Sequence, residues 1–133
     1  MTTRNTPSTT LRIAASAFAA ISIGFGINAF VRPAHALSFF EFEPPTSPAE
    51  RAMVDSLMIV YGARDVFMGV ALLSALFFGH PKSVGWILIA TSAVAYVDGY
   101  VCWTHGKGEW NHWGYAPVIT AVGAMFVGVF NRK

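Results

Sequence analysis

The 133-residue chain is 54% hydrophobic and only 12% charged, about half the charged share of an ordinary soluble domain. Such a chain cannot cover a surface made wholly for water, and its formal charge of +2 is too small and scattered to point to nucleic acid. The single cysteine, Cys102, excludes an internal disulfide and any cysteine-based zinc motif, and the length suits one domain.

Taken in chain order, residues 1–10 are polar and read as a disordered start, followed by a single membrane domain over 11–133. Leu11 to Val31 is apolar apart from Arg12 and Asn28, and at 1.5 Å per residue it spans roughly 30 Å, the thickness of a bilayer core. A competing reading is a signal peptide, since Arg4 and Arg12 precede the apolar run and Ala34-His35-Ala36 resembles a cleavage site. The run is longer than a signal core of roughly 7–15 residues and three more apolar segments follow, which favours retention as helix 1. Arg32 to Glu50 holds Pro33, Pro44, Pro45 and Pro48, so no long helix fits. Within it, residues 37–43 (LSFFEFE) are amphiphilic, suited to an interfacial connection anchored by aromatics or to a lid over the bundle.

Ser47-Pro48-Ala49-Glu50 has the N-cap Ser, first-turn Pro and third-position Glu of a helix start, so helix 2 is predicted over 49–78, ended by Gly79 and Pro81. Helix 3 is predicted over 83–105, broken by Gly106-Lys107-Gly108. Helix 4 is predicted over 111–130, with a possible kink at Pro117. The expected fold is therefore all-α: a four-transmembrane-helix bundle with a short amphiphilic segment between helices 1 and 2. Trp86, Trp103, Trp110 and Trp113 fall near predicted helix ends, as an aromatic belt requires. Four spans put both termini on the side of the helix 2–3 turn. That side carries Arg4, Arg12, Lys82, Arg132 and Lys133 with no acidic residue, so the termini are expected to be cytoplasmic. For a eukaryotic source the endoplasmic reticulum membrane is the default location.

Ionisable groups inside a span cost about 2.5–3.5 kcal/mol each by insertion scales, so those present call for an explanation. Helix 2 carries Asp55, Tyr61, Arg64 and Asp65; helix 3 carries Asp98 and ends at His105; helix 4 opens with His112. Counted from the helix 2–3 turn, Asp65 lies 14 residues before Gly79 and Asp98 15 residues after Ser83, each roughly 21–22 Å deep. Asp98, Cys102 and His105 share one stripe of helix 3 with Thr91, and His112 and Tyr115 lie one turn apart on helix 4. Arg64 points about 100° away from Asp65 and must reach across. Gly62 and Gly69 would admit another helix or a ligand closely. The plainer reading is an ion-pair network that holds the bundle together, with Cys102 a small packing residue. A metal site from Asp98, His105 and His112 is disfavoured, because a loop interrupts the helical phase and no recognised ligand spacing occurs.

The run Tyr61-Gly62-Ala63-Arg64-Asp65-Val66-Phe67-Met68-Gly69, with Asp98, His105 and His112 downstream, resembles a group of small four-helix integral membrane proteins, common in fungi, described as a domain of unknown function. The resemblance spans Leu11 to Phe130 and supplies no reaction. Some fungal membrane proteins of this size are encoded beside polyketide or terpenoid synthases, which implies tailoring of lipophilic metabolites. The Asp–Arg–Asp set is itself similar to that of the soluble limonene-epoxide hydrolases, where one carboxylate activates water, the other protonates the epoxide oxygen and arginine bridges them.

Two functional readings follow. In the first, the protein is a cofactor-independent enzyme on a lipophilic small molecule, opening an epoxide by hydrolysis or cyclisation, or acting as an isomerase. Asp65 and Asp98 share the acid and base roles, Arg64 orients them and Tyr61 supports a developing oxyanion. His105 or His112 relays protons, and Asp55, Cys102 and Tyr115 contact the substrate. In the second, the protein is a non-catalytic binding, transport or scaffold subunit whose buried charges are fully paired and lack a cavity, with Gly24, Gly26, Gly123 and Gly128 available for a homo-oligomer. A secreted, cleaved protein is a third reading that the later apolar segments oppose. No cofactor, metal or nucleic acid is expected; the bilayer and a lipophilic substrate are.

Overall fold

The computed structural model of the protein describes residues 7–130, and every regular element among them is helical. Residues 1–6 of the expected disordered start, and Arg132 and Lys133 of the charge count, lie outside the described residues. Helix α1 runs over Thr9–Val31, its first turn capped by the Ser8 hydroxyl, which accepts from the Leu11 amide. Thr9 and Thr10 thus belong to the helix and not to the polar start. A short helix α2, Pro33–Ser38, fits between the prolines of the connection. Helix α3, Pro48–Phe78, starts as its sequence dictates: the Ser47 hydroxyl accepts from the Glu50 amide at 3.2 Å and Pro48 fills a position whose missing N–H costs nothing. Helix α4, Pro81–Thr104, begins two residues before the predicted start because the His80 ring accepts from the Lys82 amide and caps it.

Three helices, α1, α3 and α4, are long and apolar enough to cross a membrane. At 31 residues α3 measures about 46 Å, more than the roughly 30 Å of a hydrocarbon core, so its first turns extend beyond the others. The segment predicted as one helix over 111–130 is instead two pieces, α5 (Trp110–Trp113) and α6 (Ala116–Val127). Pro117 explains the break. It has no N–H to donate and its ring collides with the carbonyl four residues earlier, that of Trp113, where α5 ends. The interruption thus precedes the proline instead of kinking the chain at it. Gly128, at φ 92°, closes α6 in the left-handed conformation that a helix C-terminus favours.

The helices associate as two tight pairs. Between α1 and α3 the backbones touch: a Cβ added at Gly62 would stand 2.7 Å from the Gly26 carbonyl oxygen, and one at Gly69 2.6 Å from that of Ala19. Between α4 and α6, a Cβ at Gly85 would stand 2.7 Å from the Gly123 carbonyl oxygen. Gly26 and Gly123 are therefore consumed inside the chain, while Gly24 has open space around it. The two pairs meet at one end of the bundle through an apolar cluster that includes Ala15, Ala19, Leu72, Leu88, Ile119 and Phe126. The outer faces remain apolar, with Phe67 71% and Phe78 90% exposed, which suits lipid and not water.

Candidate functional site

Between the two helix pairs lies a cavity of about 390 Å³, within the range of ligand pockets. Helix α3 supplies Tyr61, Arg64, Asp65 and Met68 to its wall; α4 supplies Thr91, Val94, Ala95 and Asp98. Phe18, Ile21, Ser22 and Phe25 of α1, Phe39 after α2, and Asn111, His112, Tyr115 and Ile119 from the α5–α6 segment complete it.

Arg64 is the hub. Its Nη1 and Nη2 donate to the two oxygens of Asp98 at 3.0 and 2.9 Å, a bidentate bond that joins α3 to α4. Its Nε donates to Oδ1 of Asp65 at 3.2 Å, and Nη2 also lies 3.2 Å from that same oxygen. The guanidinium carbon stands 4.3 Å from the centre of the Tyr61 ring, so an aromatic face packs on the cation beside its two carboxylates. Asp65 and Asp98 are buried, at 4% and 9% exposure. The depth count from the turn set them level, and one guanidinium reaches both. Arg64 bridges the 100° offset from Asp65 with its own length.

His112 is buried, its Nε2 has no hydrogen-bond partner, and its Nδ1 lies 3.5 Å from the Tyr115 hydroxyl, the outer limit of a hydrogen bond. An unpartnered ring nitrogen of a buried side chain lining a cavity is costly unless something in the cavity uses it.

The residues that follow α2 close the end of the cavity nearest these groups. Phe40, 7% exposed, packs its ring on Tyr61 (5.3 Å between centres) and on His112 (4.8 Å). Asn111 donates to the carbonyl of Phe39 at 3.1 Å and to the Glu41 carboxylate at 3.0 Å, and Lys107 bridges to Glu43 at 3.0 Å. Gly108, at φ 92°, lies so close beneath that an added Cβ would stand 2.6 Å from the Phe40 carbonyl oxygen. The amphiphilic segment is thus a cap over the bundle.

A family described as a domain of unknown function, DUF4267, matches residues 19–126. The chain belongs to this family. No curated protein and no solved structure matches it. Tyr61, Arg64, Asp65, Asp98, His112 and Tyr115 all fall inside the DUF4267 match, as does the cap.

Of the nine site residues expected from the DUF4267 sequence, these six line one cavity and three do not. His105 ends α4 facing outward, its Nδ1 2.8 Å from the Val101 carbonyl and its ring against Phe42. Asp55 lies in a separate depression with Arg32, Arg51 and the Pro44-Pro45 turn. Cys102 is fully buried in a second apolar cluster with Ala29, Met58 and Phe40, a packing position. Among the described residues no group of three His, Cys, Asp or Glu side chains is placed to hold a metal ion. Sequence reasoning missed Asn111, which lines the cavity and ties the 37–43 segment, legible as a lid, to its wall. An asparagine after a tryptophan in a glycine-rich turn carries no helical phase, so no local pattern marks it.

Proposed function

We propose that the protein is a membrane-embedded, cofactor-independent enzyme that opens an epoxide on a lipophilic small molecule, by water or by an internal hydroxyl. The observation that supports this reading is the Asp65–Arg64–Asp98 set on the wall of a cavity whose surface is otherwise mostly apolar, with a few uncharged polar side chains. The three groups sum to one negative charge, and a single proton on the pair makes the set neutral in a medium that penalises net charge. Asp98 spends both oxygens on Arg64, so the ionised form is held there. Both Arg64 contacts to Asp65 fall on Oδ1, so Oδ2 is the place for the proton. Asp65 then serves as acid and Asp98 as base. Water, positioned by His112 Nε2, gives a proton to Asp98 as its oxygen attacks an epoxide carbon. The C–O bond breaks, and Asp65 protonates the departing oxygen. The product is a diol, or a cyclic ether where an internal hydroxyl attacks, and proton return from Asp98 to Asp65 resets the pair.

We further propose that α5 and α6 together complete a fourth crossing. The segment follows α4 back from Gly99, on which the Trp113 ring rests, to Gly85, against which Val127 packs, 14 residues or about 21 Å along α4. Both termini are then cytoplasmic, with the endoplasmic reticulum membrane as location in a eukaryote and tailoring of secondary metabolites as setting. A second reading, a non-catalytic binding subunit, is favoured by one observation: Arg64 is fully engaged by its two carboxylates, as a purely structural clamp would be.

The test is to express wild type, Asp65→Asn, Arg64→Gln and Asp98→Asn in a host that produces a lipophilic epoxide, with folded yield in detergent measured for each. Folded variants that let the epoxide accumulate support the enzyme. Folded variants with an unchanged metabolite profile refute it and leave the binding subunit.

A further inference from the structure

The cavity has two sides on which a ligand could arrive, and the structure treats them differently. The end near the charged cluster is bounded by the cap: Phe39 lines the cavity, and Phe40 packs on Tyr61 and His112, the segment being fastened through Asn111, Lys107 and Gly108. Around the bundle, three of four helix interfaces are locked: α1–α3 and α4–α6 by backbone contact at glycines, and α3–α4 by the bidentate Arg64–Asp98 pair. The fourth, α1 against α6, has no such lock, and the two helices touch only sparsely. On that side the cavity wall is made of residues that also face outward. Ile21 is 52% exposed and Phe25 36% on α1, with Tyr115 38% exposed across from them. Phe39 bounds this gap on the cap side by an edge-to-face contact with Phe25, 5.3 Å between centres.

From this gap we infer that the cavity is entered sideways from the bilayer, between α1 and the α5–α6 segment, by an elongated lipophile whose uncharged polar end reaches Asp65 and His112. The inference deepens the reading of this site as one for a lipophilic small molecule, and rests on it. The polar end must be uncharged because the Asp65–Arg64–Asp98 set, with its one shared proton, is neutral and offers no net charge to pair with an ionic head of either sign inside the bilayer. Most of the remaining wall, including Phe18, Ile21, Phe25, Met68 and Ile119, is apolar, and its other polar members, Ser22, Thr91 and Asn111, carry no charge. At about 390 Å³ the cavity lies near the lower end of the roughly 300–1,000 Å³ typical of ligand pockets, so a long chain leaves its tail in the gap and in lipid.

The experiment uses the full chain in lipid nanodiscs with a diazirine-bearing fatty alcohol as probe, and maps the crosslinks by peptide mass spectrometry. Crosslinks are expected on the α1 peptide holding Ile21 and Phe25 and on the α3 peptide holding Met68, competed by an unlabelled fatty alcohol of equal length. Ile21→Trp, placed where the side chain already faces lipid, should fold and plug the gap. It should cut the α3 crosslink about tenfold, the loss expected when roughly two methylenes of contact are forfeited. Ile13→Trp, equally lipid-facing on α1 but away from the cavity, should leave it unchanged. An α3 crosslink indifferent to Ile21→Trp overturns lateral entry, and a fatty carboxylate competing as well as the alcohol overturns the uncharged head. The two readings fail separately. If probe enters through the gap but a long-chain epoxide is never opened, the chemistry falls and the route stands. If the epoxide is opened at an equal rate by wild type and Ile21→Trp, the route falls and the chemistry stands.

Discussion

Replacing one carboxylate of the Arg64 cluster at a time separates what holds the bundle from what acts on a substrate. Asp98→Asn removes the charge from a bidentate pair that ties α3 to α4. Breaking a buried pair typically costs 3–5 kcal/mol, and because the Arg64 side chain is 33% exposed, water recovers part of this, leaving about 2–3 kcal/mol. Asp65→Asn replaces a proton-bearing carboxyl by an amide whose oxygen can keep the Arg64 contacts at 3.2 Å, and it leaves the bidentate pair intact, so it should cost only about 1 kcal/mol. The double variant Arg64→Met/Asp98→Leu replaces the pair by apolar groups and should recover part of the loss of Asp98→Asn, less what the buried Asp65 carboxyl forfeits with its Arg64 contacts. The four tryptophans report unfolding by fluorescence in a denaturing-detergent titration. The account expects Asp65→Asn and the double variant to be well folded and inactive, and Asp98→Asn to be both unstable and inactive. Asp65→Asn as unstable as Asp98→Asn would refute the reasoning, because Asp65 would then be part of the clamp.

Gly62→Ala should destabilise the α1–α3 pair by about 1–3 kcal/mol, since its Cβ meets the Gly26 carbonyl at 2.7 Å, while Gly24→Ala, in open space, should be neutral or slightly stabilising in the same titration. Asn111→Ala should free the cap at a cost of about 1 kcal/mol, seen as faster hydrogen exchange at the Phe40 and Glu41 amides with the α3 and α4 amides unchanged. Lys107→Ala, which breaks an exposed bridge to Glu43, should cost at most about 1 kcal/mol and leave that exchange nearly as in the wild type. Cysteine-accessibility labelling at Ser8, before α1, and at Val129, past the end of α6, should place both on the same membrane face, and opposite labelling would contradict the fourth crossing.

Local signals read well where they are chemically self-contained. The Ser47-Pro48-Ala49-Glu50 start of α3 is visible in four residues because each occupies a position whose backbone demand is known, and all four take those positions. The break before Pro117 is a harder case: the proline announces a disturbance, but that α5 ends at Trp113 depends on the ring meeting the carbonyl four residues back. Depth along a hairpin needs only counting, and so Asp65 and Asp98 were legible as a level pair. Direction is another matter. Asp98, Cys102 and His105 share a stripe of α4, yet the cavity touches only Asp98, because the cap packs over Cys102 and His105 lies beyond the helix end. A stripe says which residues lie together, and only the neighbouring helices decide what they face. The cap contacts of Asn111, seventy residues from Glu41, had no local trace.

The central claim is that Asp65 delivers a proton to a substrate oxygen inside the bilayer. The direct measurement is turnover of a long-chain terminal epoxide by purified wild type and Asp65→Asn in nanodiscs, run in heavy-oxygen water and read by mass spectrometry. The account predicts a diol carrying one heavy oxygen from the wild type and none from the equally folded variant. Equal diol from both, or none from either, would contradict it.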